Sequence, residues 1–174
     1  MINVVCKNLK ELQNALQDKI DCALLTDVAD TVSEVMTDHI VRDVYDKYNP
    51  HMYQRRFNQS GNDINSPFDD TDNVGLLNPE NIISSIENSN TLTVENVTVG
   101  SKYYFYGGER RISQNAGDLI AGIIETGKGY DIHGWEYDGV PRPFIQNTRE
   151  DLKNNKYHVI ALKQGLKKQG LEVK

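Results

Sequence analysis

Between Leu9 and Tyr48 apolar residues recur mostly at steps of three and four: Leu9, Leu12, Leu16, Ile20, Ala23, Val28, Val32, Val35, Met36, Ile40, Val44 and Tyr48. That spacing marks one stripe on a 3.6-residue period and predicts a helix of about forty residues. Asn8 stands where an N-cap belongs, and Asn49-Pro50 ends the pattern, because proline disfavours a helical residue before it. Asp27, Asp30, Glu34, Asp38 and Asp43 lie mostly off the stripe. A break is expected between Leu24 and Asp30, with Thr26 placed to cap a second helix. A helix this long exceeds the usual globular length, so it has to lie across a sheet or lean on a neighbouring subunit.

The rest of the chain is more varied. Residues 57–81 carry Asp63, Asp69 and Asp70 among Asn, Ser and Gly and contain no Lys or Arg. Such a stretch buries too little apolar surface to order itself, and a mobile acidic connector is expected there. Residues 81–87 and 91–99 are rich in Ile, Val and Thr, with Asn88-Ser89-Asn90 as turn material between them. They read as a hairpin with a bulge near Glu95-Asn96. Residues 101–115, with Tyr103-Tyr104-Phe105-Tyr106 and Gly107-Gly108, read as an irregular loop presenting aromatics. An apolar segment, 118–127, ends in glycine-rich turns. The last element, 144–168, is a basic amphipathic helix with Leu152, Ile160, Leu162 and Leu166 inward. Gly170 stops it, and 171–173 suit a short strand. Helix, strands, helix predicts a single α+β domain over 1–174. It would have two layers, a small antiparallel sheet packed against the long N-terminal and the C-terminal helix.

Charge divides along the chain. From Arg142 onward eight Lys or Arg face three Asp or Glu, a net of +5, and the remaining eleven basic and twenty-two acidic residues leave −11. Opposite poles of this kind can steer identical subunits together, although a solvated basic helix face gives the same count. The overall acidity argues against a dedicated nucleic-acid binder. No apolar run reaches membrane-span length, and the first residues, Met1 to Lys7, lack the make-up of a signal peptide. Action in the cytosol, or in something assembled there, is expected. Cys6 and Cys22 are too few for a disulfide scaffold.

Catalytic chemistry finds little support. His39, His51, His133 and His158 are not paired at ligand spacing. Asp131, His133, Glu136 and Asp138 could hold a divalent ion as in a small metal-dependent nuclease, but they sit among glycines, where a polar loop is the plainer explanation. Gly127-Lys128-Gly129 lacks the flanking residues of a phosphate loop. Tyr53 with Arg55 and Arg56, and Glu109 with Arg110 and Arg111, place paired arginines beside aromatics, as ordinary surface charge or as contacts to phosphates or carboxylates.

Three motifs in order resemble the neck or tail-completion family of tailed bacteriophages. Val44-Tyr45-Asp46-Lys47-Tyr48-Asn49-Pro50-His51-Met52-Tyr53-Gln54-Arg55-Arg56 is similar to its tyrosine–proline–tyrosine–arginine signature. Residues Ala121 to Gly127 are similar to its strand ending in an acid-x-glycine turn, and Pro141-Arg142-Pro143-Phe144 to its closing turn and helix. The N-terminal helix ahead of Gly75-Leu76-Leu77 fits too. Together these cover about half the chain. The acidic connector and the Tyr103–Tyr106 stretch depart from the family pattern.

The resemblance implies a virion protein without reaction, metal or cofactor. It would form a ring, six-fold by family analogy, between a head-completion protein and the tail tube or tail terminator, with DNA passing unbound through its lumen and no membrane involved. Its contact residues would include Tyr53, Arg55, Arg56, Asp69, Asp70, Tyr104, Tyr106, Arg110 and Arg111. Pro50, Glu125, Arg142, Pro143 and Phe144 would be structural, Phe144 anchoring the last helix and Arg142 pairing with Glu125. A tail terminator shares the plan and differs by controlling tail length.

Overall fold

The computed structural model describes residues 7–47, 75–87, 91–99, 103–106, 109–112, 119–128, 130–132, 135–137 and 139–173, the four short strands between 103 and 137 by backbone alone. Helices and antiparallel strand pairs give the α+β class expected from sequence. The chain divides into two compact units: Met1–Val35, Ser84–Val94 and Glu150–Lys174 form one, Met36–Ile83 and Glu95–Arg149 the other.

In the first unit α1 spans Leu9–Ala23 and continues through a π-helical turn, Leu24–Val28, into α2, Ala29–His39. Asn8 caps α1 by accepting the Glu11 amide at 2.9 Å, while Glu11 reaches back to the Lys7 amide at 2.7 Å. The break expected at Leu24–Asp30 is absent. Thr26 does not cap: its hydroxyl donates back to the Cys22 carbonyl at 2.8 Å, inside an unbroken helix. A wider π turn takes up the phase error of the stripe without ending the helix.

The C-terminal helix is two helices, α4 (Phe144–Asn155) and α5 (Tyr157–Lys168), separated by Lys156 in the left-handed region at φ 56°. That turn resets the helical phase. Ala161 and Gly165 are buried, with His158, Leu162 and Leu166 half-buried, whereas Ile160, expected inward, is 50% exposed. Residues 171–173 form no strand. α5 runs antiparallel to α1: Gln169 meets Lys19 and Cys22, while Lys168 and Gly165 meet Asp27. A Cβ on Gly165 would come within 2.9 Å of the Ala23 Cβ, so two small residues bring these helices together.

The second unit begins with the end of α2 and a further π turn, Ile40–Tyr45, whose Ile40, Asp43 and Val44 are buried. Residues 75–81, expected as the end of the acidic connector, are a tight buried turn closing in a 3-10 turn at Pro79–Asn81. The Asn81 amide donates to the Gly75 carbonyl at 2.9 Å, Asn96 to that of Leu76 at 2.8 Å, and the Thr98 hydroxyl to Gly75 at 3.1 Å. Buried side chains thereby satisfy a segment whose composition reads as loop. The remainder of that connector, 57–74, lies outside the described residues.

Strand β1 (Ile82–Glu87) pairs with β2 (Thr91–Asn96). Where a bulge was expected, β2 ends, with the Val97 amide donating to the Asn81 carbonyl. Residues expected as an irregular loop form a hairpin, β3 (Tyr103–Tyr106) against β4 (Glu109–Ile112). Consecutive aromatics are strong strand formers even without alternation. Helix α3 (Ile120–Thr126) occupies the segment that resembled a strand. Its end is set by Gly127 at φ 69°. Strands β5 (Tyr130–Ile132) and β6 (Trp135–Tyr137) pair antiparallel.

Candidate functional site

The second unit fixes the start of α4 by two carboxylates. Glu125, in the last turn of α3, accepts the Ile145 amide at 2.8 Å and the Gln146 amide at 2.9 Å. These belong to the first turn of α4, whose amides have no partner within the helix. The Arg142 amide donates to the Ile124 carbonyl at 3.0 Å, and Phe144 beside it is fully buried. Glu125 therefore acts as a helix cap, and not in the ion pair with Arg142 that the sequence suggested. Gly127 lets this corner close: a Cβ there would stand 2.4 Å from the Gly139 carbonyl oxygen.

The second carboxylate is Asp43, buried to 3% exposure. Its Oδ2 accepts from His39 Nδ1 at 2.7 Å and from Asn147 Nδ2 at 2.8 Å, and Oδ1 from Lys47 at 3.0 Å. Arg42 Nη2 lies 2.8 and 3.0 Å from the two His39 ring nitrogens. Burial pushes the Asp43 carboxyl up, but the hydrogen bonds from Asn147, His39 and Lys47 outweigh it and hold the group well below the usual carboxylate range. His39 and Asp43 stand four apart on the expected helix, so their contact was available from spacing. Asn147, 104 residues away, was not. The cluster ties the end of the long helix to α4, with each Asp43 oxygen taken up by a neighbour. Its geometry is that of a clamp.

Of the expected structural residues, Glu125, Arg142 and Phe144 come together at this corner and Pro143 stands between the last two. Pro50, Tyr53, Arg55, Arg56, Asp69 and Asp70 lie outside the described residues. The β3–β4 register sets Tyr104 opposite Arg111, Phe105 opposite Arg110 and Tyr106 opposite Glu109. Asp131 stands opposite Glu136 across β5 and β6, while His133 and Asp138 are outside the described residues. Among the described residues no three His, Cys, Asp or Glu side chains group as metal ligands would. Nor is any described helix long and apolar enough to cross a membrane.

The N-terminal part of the apolar stripe, expected to lie across a sheet or lean on a neighbouring subunit, is at the surface of the chain. Leu9, Leu12 and Leu16, on one face of α1, are 70%, 44% and 37% exposed. They lie on the same face of α1 as Ala23, against which Gly165 of α5 packs.

The YomN family matches residues 8–168, from the Asn8 cap to the last residue of α5. The chain belongs to the YomN family. A YomN relative, the SPbeta prophage-derived uncharacterized protein YomN of Bacillus subtilis (strain 168), is 27% identical over 97% of this chain and 99% of its own length. The family is thus one of phage-derived proteins. No solved structure matches the chain. The YomN match takes in both carboxylate clamps and the exposed leucine row.

Proposed function

We propose that this YomN-family chain is a structural protein of a tailed-phage virion that acts at the head–tail junction. There it forms a ring between the head-completion layer and the tail, without catalysis or a cofactor. The observation that carries this reading is the row Leu9, Leu12 and Leu16, exposed on a helix capped at its start by Asn8. Three leucines at helical spacing form an apolar ridge suited to burial against another protein, as repeated subunits of a virion provide. The phage-derived family and the motifs around Tyr45–Arg56 and Arg142–Phe144 support it.

The test is electron microscopy of a lysate from a phage lacking this gene. DNA-filled heads beside free tails of normal length are expected. Overlong tails would assign the chain to tail termination, and intact particles would remove the joining role. Calorimetry with Mg2+ and Mn2+ tests the non-catalytic part, for which no binding heat is expected. Tight binding would reopen hydrolytic chemistry around Asp131 and Glu136.

A further inference from the structure

Two exposed helix faces carry opposite charge at matching pitch. On α2, Asp30, Glu34 and Asp38 recur every fourth residue and all are exposed. On α5, Lys163 and Lys167 stand four apart on the face turned away from Ala161 and Gly165, with exposed Ile160 a turn before them and Lys156 just ahead of the helix. Asp30, Glu34, Asp38, Lys156, Lys163 and Lys167 enter no ion pair among the described residues. Lys168 and Asp27, by contrast, already join α5 to the π turn between α1 and α2 within one chain.

We propose that the α5 face of one copy docks antiparallel on the α2 face of a second copy, pairing Lys167 with Asp30 and Lys163 with Glu34. Four residues span about 6 Å of helix on either side, so both pairs form in one register. In that register Lys156 approaches Asp38, and Ile160 comes to lie against the helix between them. The occupant is another copy of this chain because the charge division is a property of the chain itself. An acidic N-terminal part and a basic C-terminal part leave each copy both donor and acceptor of the contact. The two faces differ, so the association is head-to-tail, which closes into a ring or runs on as a filament. This supplies an interface for the ring proposed above and rests on that reading only for the number of copies.

The full-length chain is compared with Lys163→Glu/Lys167→Glu and with Asp30→Lys/Glu34→Lys by sedimentation velocity at low salt. All substituted residues are exposed, and equal melting curves confirm that each variant folds. The wild type is expected to self-associate and to dissociate as salt rises, because exposed pairs are screened. Each variant alone should associate roughly tenfold more weakly or worse, since like charges then face each other. An equimolar mixture of the two should recover association, because every contact again joins opposite charges. A monomeric wild type, a variant that associates like wild type, or a mixture that stays apart would overturn the proposal. Recovery in the mixture together with normal particles from the gene-deleted phage would keep the interface and remove the junction role.

Discussion

At the scale of single residues, backbone geometry decides more than side-chain chemistry. Gly127 combines φ 69° with a site where a Cβ would meet both the Gly139 oxygen at 2.4 Å and the Pro141 nitrogen at 2.7 Å. Both neighbours are backbone and cannot rotate away, so Gly127→Ala is expected to destabilise by more than about 1 kcal/mol, read from denaturant unfolding. Glu125 holds two helix-end amides, and Glu125→Ala should cost about 1–2 kcal/mol, in the range of a lost N-terminal cap. Glu125→Gln, which keeps one acceptor oxygen, should recover part of it; equal losses would show that the charge and not the cap matters. Asp43 gives a pH signature. Its carboxyl is held below the ordinary range, so the stability it contributes is present above about pH 4 and is lost as pH falls further, through its folded value. The stability gap between wild type and Asp43→Asn should therefore shrink as pH falls below about 4. A gap that stays unchanged as pH is lowered through about 4 to 2 would contradict the assignment.

At the scale of elements, legibility followed periodicity. The long N-terminal helix was written in a stripe of twelve apolar positions, and only its continuity through Leu24–Val28 was misjudged. A π turn leaves no composition signal, and Thr26 satisfies a cap rule as readily as it bonds back to Cys22. The β3–β4 hairpin was missed because four aromatics in a row do not alternate, and α3 because most of it, Ile120–Ile124, is an uninterrupted apolar run. Short apolar runs do not separate strand from helix by pattern. Of the candidate site, Phe144 and Glu125 were legible as residues that matter, while the partner of Glu125 was not, since backbone amides carry no sequence letter. The break at Lys156 was invisible for a similar reason: Asn155-Lys156-Tyr157 contains neither Gly nor Pro. A lysine at φ 56° is strained where glycine would be relaxed. Lys156→Gly should raise the stability of the α4–α5 corner by about 1 kcal/mol, visible as a higher Tm. A lower Tm would mean that the lysine side chain outweighs the turn.

At the scale of the whole molecule, the same helix serves two demands that can be separated. Toward its C-terminal half α1 is closed over by α5 through Ala23, Gly165 and the Lys168–Asp27 pair, so its folding needs no partner there. Toward its N-terminal half Leu9, Leu12 and Leu16 stay in solvent. Stability and assembly should then respond to different substitutions. Leu12→Gln/Leu16→Gln replaces exposed apolar atoms, and exposed positions usually move stability by less than about 0.5 kcal/mol. The double variant is therefore expected to melt within a degree or two of wild type. If the leucine row is buried on assembly, supplying this variant to a phage lacking the gene should fail to restore plaques, while the wild-type chain restores them. A variant that melts normally and restores plaques would remove the leucine row from assembly. One that melts much lower would show that the row is covered within the folded chain itself.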